Sequence, residues 1–269
     1  MKRNLITLAL ICASFFCTTV CTSEKPVKET RETDSFRKIS LGGGIDIYFV
    51  QSDSYSVVVE AEEKYLDKIV TEVKDETLVV KWNVEGKERI KIVKWRTSNL
   101  KVYVSAPALY EVKVSGGSDF YADKLKCDDG FHLQTSGGAD AKIGELNVDG
   151  GVDISSSGGS DIIIESLTVA GAIEISTSGG SDCDVNNLQV SDSNFSCNFS
   201  SSGGGDLNIK NLITSGNLAA SASGGADINI SGKAGDVKIS ASGGADVNIT
   251  KLTYTTIDIT KSGAGDVHR

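Results

Sequence analysis

An aspartate recurs through the second half of the chain, each time closing a phrase that reads Ser-Gly-Gly-Ser-Asp or a close variant of it. Successive aspartates are 21, 21, 21, 24, 21, 19 and 20 residues apart. Carboxylates aligned at one corner of a repeating fold would repel one another, and calcium, which binds carboxylate and carbonyl oxygens, would relieve that repulsion. The calcium candidates are Asp119, Asp140, Asp161, Asp182, Asp206, Asp227, Asp246 and Asp266. In the favoured alternative there is no cofactor, and each carboxylate accepts hydrogen bonds from backbone N–H groups of its own corner.

The elements that position these aspartates follow from the rest of the repeat. A fixed period near 21 residues without helical heptads is typical of a solenoid in which each repeat forms one coil. Each coil contains three pairs of apolar residues that alternate with polar ones, which indicates strands with one buried face. In one coil the pairs are Ile162 and Ile164, Leu167 and Val169, and Ile173 and Ile175. The chain is therefore predicted to be all-β, a right-handed parallel β-helix with three short strands per triangular coil. Gly-Gly supplies the positive φ angles of one corner.

The outward positions of the repeat are mostly small and polar. One column contains Ser155, Ser176, Ser200, Ser221 and Ser240, and another contains Asn208, Asn229 and Asn248. Columns of this kind can hydrogen-bond along the stack. The sequence predicts flat walls of Ser, Thr and Asn that could contact a glycan, a matrix or another protein.

Two coils depart from the period. The 24-residue coil carries an insertion at 191–194, predicted to bulge from the wall, and the 19-residue coil is tightened at 231–235. A binding face of a solenoid can lie at such irregularities, although a tolerated insertion is the more common explanation.

The chain divides into four segments. Residues 1–23 carry Lys2 and Arg3 before an apolar run and then small residues, which is typical of a secretory signal peptide. Residues 24–35 are charged and predict a flexible tether, residues 36–115 form a strand-rich but irregular part of the stack, and residues 116–269 form the regular repeats. An exported chain would reside in the periplasm, in the outer membrane or at the cell surface. A lipid anchor at Cys17 or Cys21 is an alternative to simple cleavage.

The charge of the chain limits its partners. Without Lys2 and Arg3 the chain has 25 basic residues (27 less 2) and 36 acidic residues, a net charge of −11. Such a surface disfavours nucleic acids and anionic lipids.

Three cysteines lie outside the predicted signal region, and each aligns with an inward column. Cys127, Cys183 and Cys197 are therefore predicted to be small core residues. A Cys183–Cys197 disulfide across one coil is the alternative.

Several stretches together resemble a known bacterial family. They are the Gly42-Gly43-Gly44-Ile45-Asp46 turn, V-V-V-E-A-E-E-K-Y-L-D-K-I at 57–69, E-V-K-D-E-T-L-V-V-K at 72–81, L-K-V-Y-V-S-A-P at 100–107, and the Ser-Gly-Gly-Ser-Asp phrase after Val114. Over residues 36–260 the chain resembles the family described as "putative auto-transporter adhesin, head GIN domain". The resemblance implies a stack of parallel β-coils and an adhesin-like role, and it implies no catalytic or ligand residues.

Two classes of function remain open. The first is a non-catalytic exported module that binds through its walls and can associate with another copy through its uncapped C-terminal coil. The second is a carbohydrate-active β-helix enzyme, a polysaccharide lyase or hydrolase, that uses the acidic corner. The chain has only two histidines, His132 and His268, both expected to be exposed, and its acidic residues are spread evenly. The sequence therefore favours the non-catalytic class.

Overall fold

The computed structural model describes residues 25–83 and 100–269. The predicted signal peptide at 1–23, with Cys17 and Cys21, lies outside the described residues. The described residues form a β-solenoid of two sheets, and their one short helix is α1 (Glu63–Leu66). Among them no helix has the length and apolar character needed to cross a bilayer.

Sheet 1 has 13 strands and follows the axis of the solenoid. In spatial order its strands are β1 (Val27–Arg31), β4 (Ser56–Ala61), β7 (Lys101–Ala106), β3 (Asp46–Gln51), β9 (Asp119–Cys127), β11 (Asp140–Val148), β13 (Asp161–Val169), β15 (Asp182–Val185) with β16 (Leu188–Val190), β18 (Asp206–Ile213), β20 (Asp227–Lys233), β22 (Asp246–Thr253) and β24 (Asp266–His268).

Sheet 2 has 11 strands and lies on the other side of the same core. In spatial order its strands are β23 (Thr256–Lys261), β21 (Asp236–Ala241), β19 (Leu218–Gly224), β17 (Cys197–Gly203), β14 (Ile173–Gly179), β12 (Val152–Gly158), β10 (Phe131–Gly137), β8 (Glu111–Ser115), β2 (Lys38–Gly42), β6 (Thr77–Trp82) and β5 (Ile69–Lys74).

Each regular coil contributes two strands, whereas the sequence predicted three. The inward pairs lie where they were expected, but the first two pairs belong to one continuous strand that bends. In β9, Ala122 and Leu125 are buried while Asp123 and Lys124 between them both face solvent. Two consecutive outward residues turn the strand without ending its pairing, because β9 and β11 stay in register on both sides of the bend. The prediction of three separate strands is therefore wrong for these coils, although the coil with β15, β16 and β17 does contribute three.

The core is a set of continuous columns, because equivalent residues of successive coils pair in parallel register. Leu133 pairs with Ile154, and Ile154 with Ile175. The three cysteines lie in these columns, buried and free, so the prediction that they are core residues is confirmed and the Cys183–Cys197 disulfide is wrong. Burial raises the pKa of all three thiols, which keeps them protonated and poorly nucleophilic at neutral pH.

The N-terminal strands join the same two sheets and close one end of the stack. Strands β2, β3, β7 and β8 pair in parallel, whereas β1 with β4, β4 with β7, and β5 with β6 pair antiparallel. The prediction of a flexible tether over 24–35 is wrong at its centre, since Val27–Arg31 pair with β4. Lys28 and Arg31 also form ion pairs there. A charged strand is well suited to an edge, where it discourages pairing with other chains.

The Ser-Gly-Gly phrase forms the corner that leads from sheet 2 back to sheet 1. Its first glycine has a positive φ in most coils, including +83° at Gly137, +85° at Gly158 and +79° at Gly179. Successive corners also approach closely, since the N–H of Gly159 donates to the carbonyl of Gly137 at 2.9 Å. The corner requires glycine for both reasons.

Candidate functional site

The eight repeated aspartates lie side by side at the start of successive strands of sheet 1, and we call them the aspartate ladder. The pairing register aligns Asp119 with Asp140, and a backbone N–H of Asp161 donates to Asp140 Oδ1 at 3.0 Å. The N–H of Asp206 donates to Asp182 Oδ1 in the same way at 3.3 Å. In these two pairs, the carboxylate of one coil thus accepts a hydrogen bond from the backbone of the next coil. The expectation that each carboxylate bonds its own corner is wrong for these, although it holds at the last member, where Asp266 accepts the N–H of Val267.

Crowding of the aspartate ladder affects the acidity of its members. Partial burial, with the neighbouring carboxylates adding to it, raises the pKa of Asp161 and of Asp206. Lys261 lowers the pKa of Asp266 at the end of the ladder. Over residues 25–83 and 100–269, no three His, Cys, Asp or Glu side chains are grouped so that they could bind a metal ion. Calcium binding by the ladder stays a prediction.

The predicted outward serine column forms the middle of sheet 2, and we call it the serine wall. Its members are Ser155, Ser176, Ser200, Ser221 and Ser240, which pair in register from β12 to β21. Within the described part of the chain, none of these five hydroxyls has a protein hydrogen-bond partner. Their donors and acceptors are therefore available to solvent or to a ligand.

A second set of hydroxyls lies inside the coil, and the sequence analysis missed it. Thr135, Ser156 and Ser160 bond one another at 2.9–3.1 Å, and Thr177 bonds Ser201 at 2.6 Å. All five side chains are buried. A partial signal was the residue before each aspartate: serine at 160 and 181 accompanies an inward hydroxyl at 156 and 177, and alanine at 226 and 245 accompanies alanine at 222 and 241. The correspondence fails in the first two coils, where Ala139 accompanies Thr135 and Ser118 accompanies Val114.

The predicted asparagine column on sheet 1 is also hydrogen-bonded along the axis. Asn208 Nδ2 donates to Asp184 Oδ1 at 2.8 Å, and Asn229 Nδ2 donates to Asn208 Oδ1 at 2.9 Å. These amides bond each other, so this column is less available to a ligand than the serine wall.

The outer face of sheet 1 also carries an aromatic stack that the sequence analysis did not predict. The rings of Tyr103, Tyr48 and Tyr121 stack along the axis with centroids 5.6 and 5.0 Å apart. Lys28 covers Tyr103, and Tyr121 donates to Asp119. The faces of the three tyrosine rings are thus largely covered by neighbouring side chains, so the stack is not an open platform on which sugar rings could bind.

A groove of about 620 Å³ runs along the corner where sheet 1 leads into sheet 2, and we call it the corner groove. The floor of the groove consists of small residues, each of which ends one of three short corners. The rim consists of polar side chains that lie beside those corners. Gly130, Gly151 and Ala172 form the floor, and Arg37, Tyr110, Asp129, His132, Asp153, Glu174 and Asn198 form the rim. The groove crosses five successive strands of sheet 2, about 19 Å at the usual strand spacing.

Both ends of the corner groove are bounded by departures from the repeat. At one end Arg37 lies over the ring of Tyr110, 4.8 Å from its centroid. At the other end the corner between β16 and β17 has six residues, 191–196, where the preceding corners have three. The last residue of this corner, Ser196, continues the backbone ladder of the floor, because its carbonyl accepts the N–H of Ile173. Asn198 on the rim follows this corner, whereas residues 191–194 of the predicted insertion do not line the groove.

The rim of the corner groove is polar and acidic. His132 Nδ1 lies 3.1 Å from Asp153 Oδ2, and Arg37 lies 3.8 Å from Asp129. Glu174 has no hydrogen-bond or ion-pair partner within the described residues. His132 was predicted to be exposed and is half-buried beside Asp153, whereas His268 is exposed near Asp266. Three carboxylates against one guanidinium leave the rim negative.

These features define a class: a two-sheet β-solenoid with repetitive polar walls. The family described as "Putative auto-transporter adhesin, head GIN domain" matches residues 35–203 and 193–268. The chain belongs to this family, as the sequence resemblance implied.

Solved bacterial structures share the fold. A protein titled a "putative adhesin" from Parabacteroides merdae is 16% identical, with a TM-score of 0.77 and coverage of 91% of this chain and 95% of that one. A second "putative adhesin", from Bacteroides fragilis, is 19% identical with a TM-score of 0.65, and the match covers 91% of this chain and 97% of that one. A third, titled a "putative lipid binding protein", from Parabacteroides distasonis, is 15% identical with a TM-score of 0.70, covering 91% and 97%. At these identities the likeness shows the fold alone. No curated protein matches the chain.

Proposed function

We propose that this chain is a non-catalytic, exported, adhesin-like module that binds an extracellular glycan or matrix through the serine wall. The observation that carries the proposal is the in-register column of five outward hydroxyls with no partner inside the described protein. Hydroxyls repeated at about the strand spacing of 4.8 Å match a partner that is itself repetitive, such as a polysaccharide fibre. Family membership supports the adhesin-like role.

A flat wall favours binding over catalysis. Each hydroxyl adds a weak contact, and many weak contacts on one rigid surface combine into useful avidity. The aspartate ladder repeats evenly along the axis, whereas a catalytic pair needs two carboxyls with different environments. Export is supported by the signal-like pattern at 1–23 and is tested by fractionating the native cells and measuring the mass of the mature protein.

The binding experiment is cosedimentation of the purified protein with insoluble cellulose, chitin, mannan and collagen. Placing three lysines on the wall, as Ser176→Lys, Ser200→Lys and Ser221→Lys, should reduce binding about tenfold or more, because bulky charges hold a flat partner away. The control is Thr168→Lys, Gln189→Lys and Ile213→Lys. These residues form a column on three consecutive coils of sheet 1, where the same added charge should change binding little.

An equal loss of binding in the serine-wall variant and the sheet 1 control variant would show that the added charge alone reduces binding, and it would contradict the proposal. Retained binding in the serine-wall variant would contradict it as well. Prolonged incubation with soluble forms of the same polysaccharides tests the enzyme alternative. New sugar ends would favour a lyase or hydrolase, and we expect none.

A further inference from the structure

The corner groove is a second surface whose shape and chemistry the serine wall does not explain. It lies at different residues, on the strand beginnings of sheet 2, and it borders the wall, because Asp153 and Ser155, and Glu174 and Ser176, face outward two residues apart on the same strands. Glycine and alanine at the three floor positions keep the floor free of bulky side chains. It extends from the Arg37–Tyr110 pair to Asn198, which follows the long corner at 191–196.

The floor and the strands below it disfavour two kinds of ligand. Phe131, Val152 and Ile173 lie under the floor and are at most 4% exposed, so their side chains offer little surface to a hydrophobic side chain or an acyl chain. Strands β10, β12 and β14 each pair on both sides. An extended peptide therefore finds no free strand edge at which to add a strand.

The rim selects among the remaining ligands by charge. Three carboxylates, from Asp129, Asp153 and Glu174, face a single guanidinium, so phosphate groups and polyuronates would be repelled. Hydroxyl groups suit this rim, because a carboxylate accepts a charge-assisted hydrogen bond from a hydroxyl and an amide or guanidinium donates back to it. Asp153 engages His132 through Oδ2 and keeps Oδ1 without a partner within the described residues.

We propose that the corner groove binds a segment of a neutral polysaccharide chain, lying along the solenoid axis between Tyr110 and Asn198. Glu174 and Asp153 accept hydrogen bonds from sugar hydroxyls, and Asn198 and Arg37 donate to them. The floor of small residues lets the sugar chain approach the backbone. This site goes beyond the proposed adhesion through the serine wall, because it uses the acidic rim and the small floor residues rather than the hydroxyl column.

The test is isothermal titration of the full-length mature protein with cellohexaose, xylohexaose, mannohexaose and hexagalacturonate. We expect at least one of the neutral oligosaccharides to bind and hexagalacturonate not to bind. Ala172→Trp places a large side chain on the exposed floor and should weaken that binding about tenfold or more, the equivalent of about 1.4 kcal/mol. Asn217→Trp is the control, since Asn217 is the equivalent corner residue two coils further on, exposed and outside the groove.

A second variant keeps the test informative if Ala172→Trp fails to fold. Glu174→Gln keeps the shape of the side chain and removes its charge, and it should weaken the same binding about threefold to tenfold. The proposal is overturned if none of the three neutral hexasaccharides binds. It is also overturned if hexagalacturonate binds more tightly than they do, or if Asn217→Trp weakens binding as much as Ala172→Trp.

Discussion

The stacked corner recurs in every coil and leaves little room for a side chain, and Gly158→Ala tests this constraint. Gly158 has φ of +85°, a left-handed conformation that costs an alanine about 1–2 kcal/mol. A Cβ at this position would lie 2.9 Å from both the nitrogen and the oxygen of Gly137. Because those atoms belong to the backbone of the coil below, relief requires the two coils to move apart, and overpacking of this kind costs about 1–3 kcal/mol.

The next residue supplies a matched control. A Cβ added to Gly159 has its nearest neighbour at 3.7 Å, the carbonyl oxygen of Gly137, which is ordinary contact. Its backbone is not left-handed, so Gly159→Ala should be neutral or stabilise by about 0.4–1 kcal/mol through the unfolded chain. Gly158→Ala gains the same stabilisation through the unfolded chain, so after it is subtracted we expect this variant to be destabilised by about 1–4.5 kcal/mol.

The assay is equilibrium unfolding in urea with hydrogen exchange read along the chain. A solenoid can lose coils one at a time, so a single midpoint does not describe it fully. Gly158→Ala should speed exchange first in the strands next to the corner, β12 and β13. Equal stability of the two variants, or equal loss from both, would refute the argument that this corner is limited by backbone approach.

Three further predictions concern the aspartate ladder, the buried hydroxyls and the C-terminal coil. Asp161→Asn should stabilise the protein at pH 7, because each neighbouring carboxylate about 5 Å away repels Asp161 by about 0.8 kcal/mol before salt screening. Since the pKa of Asp161 is raised in the folded state, the stability of the wild-type protein falls as pH rises through that raised pKa. The stability gained by Asp161→Asn should therefore shrink near pH 4, and it should also shrink in high salt. Thermal melting measures both effects. Ser201→Ala should cost about 1–3 kcal/mol in urea unfolding, because it leaves the buried Thr177 hydroxyl without a partner, while the adjacent exposed Ser200→Ala should stay within about 0.5 kcal/mol. Lys261→Ala should increase self-association in sedimentation velocity, and an unchanged sedimentation coefficient at high concentration would contradict it.

The last of these predictions rests on a feature of the terminal coil. Lys261 pairs in register with the buried Ala241, so a charged side chain occupies an inward column, and it forms an ion pair with Asp266. An inward-pointing charge on an edge strand opposes the addition of another strand. Self-association of the wild-type chain through this end stays a prediction, and alanine at 261 should strengthen it.

Much of the fold could be predicted because one repeat specifies it many times over. Apolar alternation located the inward columns, including those of the three cysteines, and the Gly-Gly phrase located the corners. The bend at Asp123 and Lys124 could not be distinguished from a strand boundary, because both interrupt the alternation in the same way. Strand β1 was missed because its composition is that of a linker, and its pairing with β4 depends on backbone bonds that composition does not reveal.

The candidate sites differ in how far the sequence could predict them. The serine wall follows from spacing alone, since five residues at one repeat position must align in a solenoid. The corner groove does not, because Arg37 and Tyr110 come from the irregular N-terminal part and meet the regular coils only in the folded chain. The insertion at 191–194 was the one visible signal, and it indicated a location without its chemistry.

Regularity and irregularity supply different properties to this solenoid. Identical coils produce flat faces on which every position looks alike, so such a face can bind an extended repetitive partner but cannot distinguish one register along it from another. The corner groove is different, because its polar side chains change from coil to coil and the order of Asp153, Glu174 and Asn198 along it is fixed. A ligand segment must match that order to bind. Selectivity among glycans is therefore expected at the corner groove, where the repeat is broken at each end, and avidity at the serine wall, where it is kept.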